Sequence, residues 1–253
     1  MTGVRVDVAD GVAIITLARP EVRNAVNAAM AVAMSHALAR VESDPQVRIS
    51  ILTGEGGHFC SGMDLKAFLR KEVMRVEGRG FAGVTEVRLT KPLIAAVEGY
   101  ALGGGFEIAM ACDLIVASEE ANFGLSEVKR GLVANAGGLV RLPRQIPIKI
   151  AAELIFTGDV YPASYLASHG LINRLVPAGQ ALETARELAR KIAGNGPLAI
   201  AASKRVLYES QDWQAAELFA RQREITDSVF TSADANEGAL AFAEKRTPVW
   251  RGR

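Results

Sequence analysis

Cysteine is scarce in this sequence. The 253 residues hold two, Cys60 and Cys112, with neither a C-x-x-C pair nor zinc-ligand spacing. That excludes a disulfide scaffold and a cysteine-built metal site. Both sit among apolar neighbours, as reduced, packed thiols do. Histidine is also thin: His36, His58 and His169 lack metal-ligand spacing, and structural or solvated roles suit all three. Neither sign of charge is in excess, since 29 Lys and Arg face 28 Asp and Glu for a net +1. A global pull toward nucleic acid or anionic membrane is therefore missing. No uncharged apolar run approaches the roughly 18 residues of a membrane helix. The first residues, MTGVRVDVADGVAIITL, carry acidic groups and lack a basic n-region leading to a cleavage site, so they do not read as a signal peptide. The expectation is a soluble, cytoplasmic protein. There is no P-loop, and GLSEV fails as a nucleophile elbow because position 128 holds Val.

What is present is an ordinary globular composition, 49% hydrophobic and 23% charged, in a chain long enough to bury a large core without staples. Residues 4–8 and 12–17 alternate around Asp10-Gly11 and read as an antiparallel hairpin. Asn27 can cap a helix running toward Ser43, with apolar positions at Met30, Met34, Leu38 and Val41. A strand over 49–53 leads into a glycine-rich loop over 54–64, and helical material is expected over 65–89. Strands follow at 92–97 and 114–117, with a later one at 171–176. Strand, loop and helix in alternation predict an α/β core with mainly parallel strands. From about Ala181 the chain reads as helical, with Pro197 in a first turn, Asp212 capping the next helix and Ser232 or Asp234 the last.

Two stretches carry chemistry. In GYALGGGFEIAM, residues 99–110, three glycines mark the turn from a strand into a helix beginning near Gly104, and Glu107 stands one turn in. Free N–H groups at a helix start, approached closely because glycine has no side chain, make an anion site beside a carboxylate. Glu107 could instead cap its own helix. A dinucleotide fingerprint fails, because Ile108 stands where its third glycine belongs. The second stretch, GEGGHFCSGMDLK, residues 54–66, can present the N–H of Met63 to the same ligand oxygen. Two convergent amides would form an oxyanion hole. Glu127, in NFGLSEVKRG, is read as a second carboxylate in a loop, or else as a solvated partner of Arg130.

Together with GGLVRLPR, LIFTG, HGLINRLV and AFAEKR, these stretches resemble the crotonase (enoyl-CoA hydratase/isomerase) superfamily over nearly the whole chain. The resemblance implies an α/β spiral of ββα units. Residues 1–195 would be the core with a CoA-thioester site, and 196–253 a helical region that builds a homotrimer or a hexamer as a dimer of trimers. It implies oxyanion donors at Met63 and Gly104, and catalytic glutamates at Glu107 and Glu127. By resemblance Glu107 is the water-holding base and Glu127 the acid. It further implies CoA contacts at Arg23 and Lys66, and at Phe242 and Lys245 from a neighbouring subunit. No metal and no separate cofactor are called for, coenzyme A being part of the substrate.

The expected reaction is reversible hydration of 2-enoyl-CoA. A double-bond isomerase and a silent binding protein with a basic patch at Lys191, Lys204, Arg205 and Lys245 are the alternatives. Ala134 stands where relatives carry proline, and Asn135 after it can face the acyl group. The stretches AFAEKRTPVWRGR and GFAGVTE lean toward the carnitinyl-CoA dehydratase branch. A quaternary ammonium would want aromatic faces, for which Phe81, Phe106, Phe123, Trp213 and Trp250 are candidates.

Overall fold

A computed structural model describes residues 3–253. The chain opens with the expected hairpin, β1 (Val4–Ala9) antiparallel to β2 (Val12–Leu17). The Asn27 side chain then accepts from the Met30 N–H and starts α1 (Ala28–Ser43), whose Met30, Met34, Leu38 and Val41 are all buried. β3 (Ile49–Gly54) lies parallel to β2. The expected helix over 65–89 is largely overturned. Only α2 (Leu65–Leu69) forms, followed by a small hairpin of β4 (Arg75–Val76) and β5 (Gly80–Phe81). Lys71, Gly78, Gly80, Ala82 and Gly83 all take positive φ, a conformation that an α-helix cannot contain.

The chain continues through β6 (Leu93–Val97), β7 (Tyr100–Leu102), α3 (Gly104–Ala111), β8 (Leu114–Ser118) and β9 (Asn122–Gly124). α4 (Gly138–Gln145), α5 (Ile148–Thr157), β10 (Tyr161–Pro162), α6 (Ala163–Ser168) and β11 (Arg174–Val176) follow. The last strand is thus shorter than expected, because Leu171 and Ile172 pack into the core ahead of it. α6 ends at His169, with Gly170 at φ +84°. The main sheet runs β1-β2-β3-β6-β8-β11, parallel from β2 onward. A second sheet is formed by β10, β9 and β7, with β9 parallel to β7 and antiparallel to β10.

The sheet has two buried faces. One meets α1 and α3 in the main core. The other is covered by α7 (Ala181–Ala193), which sets Ala181, Ala185 and Ala189 on a stripe against Ile49, Ile51, Ile94 and Val116. Alanine at every fourth position lets the helix backbone lie close to the strands. Three further helices complete the chain, α8 (Pro197–Glu209), α9 (Leu218–Phe230) and α10 (Ala233–Glu244). Ser232 caps α10 as expected, accepting from the Ala235 N–H. Asp212 does not cap α9. It ends a single 3-10 turn, and the next helix starts six residues later without a side-chain cap. The tail is tied to the head of β8 by the ion pair of Lys204 with Asp113, 2.7 Å long, and to the end of α7 by Trp250 Nε1 donating to the Gly194 carbonyl.

Candidate active site

The three glycines at the start of α3 are each required for a different reason. A β-carbon on Gly103, at φ +53°, would stand 3.0 Å from Glu127 Oε1. One on Gly104 would strike the Phe81 ring at 2.4 Å, and one on Gly105 the Cys60 carbonyl at 2.1 Å. The last contact docks the 60–63 loop along β7, where Cys60 also accepts from the Leu102 N–H and donates to the Tyr100 carbonyl. Gly62, at φ +91°, closes the approach: its absent β-carbon would lie 3.1 Å from the Gly104 nitrogen.

Two amides are left free by this packing. Met63 forms a parallel bridge with Val26 through the neighbouring Gly62 carbonyl and Asp64 N–H, so its own N–H faces away from that pairing. Gly104 is the first residue of α3 and has no intrahelical acceptor to reach. Among the described residues, neither N–H has a protein acceptor.

The carboxylates behave differently from the simplest expectations. Glu107 does not cap its own helix. Its Oε1 accepts from the Ala136 N–H at 2.7 Å and the Gly138 N–H at 2.8 Å, both on the segment leading into α4. Glu127 lies in a 3-10 turn, Ser126–Arg130, rather than a free loop. Arg130 donates to the carbonyl and hydroxyl of Ser126 instead of pairing with Glu127. The Glu127 Oε2 atom is buried without a hydrogen-bond partner among the described residues. Burial pushes the Glu107 carboxyl up to about 7, opposed by the Gly138 amide and reinforced by the Glu127 charge. Burial raises the Glu127 carboxyl as well. Two such groups titrate as a pair.

Two cavities meet at Met63. The larger, about 450 Å³, is bounded by Arg19, Lys66 and Arg70 among others. Arg19 is paired with Asp64 and Arg70 with Glu72, while Lys66 has no ion-pair partner among the described residues. The smaller, about 270 Å³, lies between Met63, Phe81, Asn135 and Ala136, with Glu72, Arg75 and Glu86 on its polar side. The structure thus gathers Met63, Gly104, Glu107, Glu127 and Lys66 around one region. Arg23 lies beside this region, its carbonyl accepting from the Ser61 N–H at the larger cavity and its guanidinium 5.3 Å over the Tyr100 ring. Phe242 and Lys245 stand far out on the tail, with Phe242 88% exposed. Of the five candidate aromatic rings, only Phe81 borders either cavity; Phe106 and Phe123 are core residues. Sequence reasoning did not assign the Ala136 and Gly138 amides to Glu107; the Gly137-Gly138 pair was the available signal.

Fold and site define an enoyl-CoA hydratase/isomerase type of protein. The family model "Enoyl-CoA hydratase/isomerase" matches residues 7–253, and the chain belongs to that family. It is 46% identical to enoyl-CoA hydratase EchA19 of Mycobacterium tuberculosis, over 95% of this chain and 93% of that protein. It is 44% identical to a carnitinyl-CoA dehydratase of Salmonella typhi, over 94% of each. A crystal structure of an enoyl-CoA hydratase from Mycobacterium tuberculosis superposes with a TM-score of 0.98 at 53% identity, covering all of both chains. The family and these relatives support hydratase-type activity on an acyl-CoA substrate. No helix among the described residues is long and apolar enough to cross a membrane.

Proposed function

We propose that the protein reversibly hydrates 2-enoyl-CoA thioesters to 3-hydroxyacyl-CoA. The observation that carries this reading is the buried, unpartnered Glu127 Oε2 beside the Gly103–Gly104 turn. A polar atom in that state is costly unless a ligand or water completes it. In the proposed reaction the Met63 and Gly104 amides bind the thioester oxygen. Each such donor is worth on the order of 3 kcal/mol where charge develops in the transition state. Polarising the carbonyl makes Cβ electron-poor. Water adds there, giving one proton to Glu107, while Glu127 protonates Cα. The order of roles rests on resemblance; the pair shares its protons, and a single proton on the two carboxyls is what acid–base exchange of this kind needs.

Lys66 is the natural contact for CoA phosphates in the larger cavity, and the acyl group would occupy the smaller one. The exposed Phe242 and Lys245 would complete the CoA site across a subunit boundary in a homotrimer or a hexamer. A carnitinyl-CoA dehydratase is the second reading. It is favoured by the Phe81 face on the smaller cavity, which suits a cationic acyl end; Glu72 and Glu86 add no free negative charge there, being paired with Arg70 and Arg75. A silent nucleic-acid binder is supported less: Lys204 is paired with Asp113 and Arg205 with Glu209. Incubating the protein with straight-chain, branched and betaine-bearing enoyl-CoAs, and following loss of enoyl-thioester absorbance, tests the reading. No loss with any of them overturns it; loss with the betaine ester alone selects the second reading.

A further inference from the structure

We infer that Arg141 is a positioning residue for Glu107, clamping from behind the turn whose amides hold that carboxylate in front. Arg141 lies on α4, and its guanidinium donates to the carbonyls of Thr85 and Ala136, the latter at 3.4 Å. It lies flat against Gly137, at φ +114°, where a β-carbon would meet its Nη1 at 1.9 Å. Residue 136 is therefore held at both ends, its carbonyl by Arg141 and its N–H by Glu107. Thr85 belongs to the segment after β5, so one side chain joins α4 to two of the stretches that wall the smaller cavity, 81–86 and 135–136.

The guanidinium is half-buried and, among the described residues, forms no ion pair. A cation kept out of water normally has a carboxylate against it. Here its charge is set instead against backbone oxygens, with Glu107 the carboxylate it faces through the turn. Its other charged or titratable neighbours are Glu86 from the segment after β5, Cys112 from the end of α3 and Tyr208 from α8. Glu107 in turn faces Glu127 from the 3-10 turn and Arg141 from α4. Arg141 opposes the upward push of burial on Glu107, and Glu127 adds to it. The clamp thus holds the place of the carboxylate and offsets part of the push of burial on its charge.

The inference rests on Glu107 being the working base, but its test does not require turnover. The protonated Glu107 carboxyl has a C=O stretch that a difference spectrum against Glu107→Gln isolates, and its titration can be followed without substrate. In Arg141→Met that titration should move upward by about one pH unit. The acid limb of kcat should move with it, and KM for the thioester should stay within a few-fold. Arg141→Lys, which keeps the charge and loses the fork, should leave the titration near its wild-type place while lowering kcat. An unmoved titration in a folded Arg141→Met overturns the inference. If Arg141→Met does not fold, wild-type kcat in Arg141→Lys overturns it. Absence of hydration in the wild type would sink the proposed function alone and leave the titration result standing.

Discussion

Glu127 and Gly103 are in contact through a missing atom: the carboxylate Oε1 stands 3.0 Å from the point where a β-carbon of Gly103 would lie. The turn into α3 at φ +53° and the placement of the second carboxylate are one arrangement. Gly103→Ala should therefore damage both. Strain in this part of backbone space costs about 1–3 kcal/mol, and the displaced carboxylate should cost at least tenfold in kcat. Thermal denaturation together with steady-state hydration kinetics checks this; full activity would separate the glycine from the site.

Glu107→Gln and Glu127→Gln should each lower kcat by roughly 10²–10⁴, the usual worth of a positioned proton-transfer group. Each amide is close in shape to the acid, so affinity for a saturated acyl-CoA should change little. Calorimetric binding beside turnover checks the split. Turnover in both variants at wild-type rates would dismiss the two-carboxylate mechanism. Loss in only one would favour the isomerase.

Stability should fall as pH rises through neutrality. The Glu107 carboxyl is raised in the folded protein from 4.5 to about 7, so between those values the native state binds more protons than the unfolded chain. The derivative of unfolding free energy with pH is then negative. Stability from this group is fully present below 4.5 and is lost by the time pH passes about 7. The Glu127 carboxyl, raised by burial, adds in the same direction. Glu107→Gln keeps the acceptor for the Ala136 and Gly138 amides but cannot ionise. It should gain up to about 3 kcal/mol over wild type at pH 8 and nothing at pH 4. Urea denaturation at the two pH values tests this, and an equal difference at both would contradict it.

The tail carries large apolar side chains with no cover, Phe230 at 78% and Phe242 at 88% exposure. α8 and α9 bury none of their residues. Isolated exposed phenylalanines are tolerable, but several on one helical region mark an interface. Sedimentation should find a trimer or a multiple of it. Phe242→Asp should shift it toward smaller species and weaken CoA binding, with the Glu107 titration unchanged. A wild-type monomer would leave Phe242 and Lys245 without a CoA to contact.

Much of the fold was legible because its signals are local. The Asn27 and Ser232 caps, the period of α1 and the alternation of the first hairpin are each set by a few neighbouring residues. The same held for the strand–glycine–helix turn and its carboxylate. The 65–89 segment was misjudged because its course depends on positive-φ positions at Lys71 and Ala82, which residue type does not announce and packing imposes.

What the sequence determined by itself was the class of chemistry available: a strand–glycine–helix turn beside one acid, and a second acid further along the chain. Tertiary structure alone decided that Glu107 accepts from Ala136 and Gly138 rather than from its own helix, that Glu127 is parted from Arg130, and that Arg141 backs the turn. Those partners lie 29 to 31 residues from Glu107. The raised carboxyl follows from burial, which no spacing along a chain can specify. A charge state is a property of surroundings, and the surroundings exist only once the chain has folded.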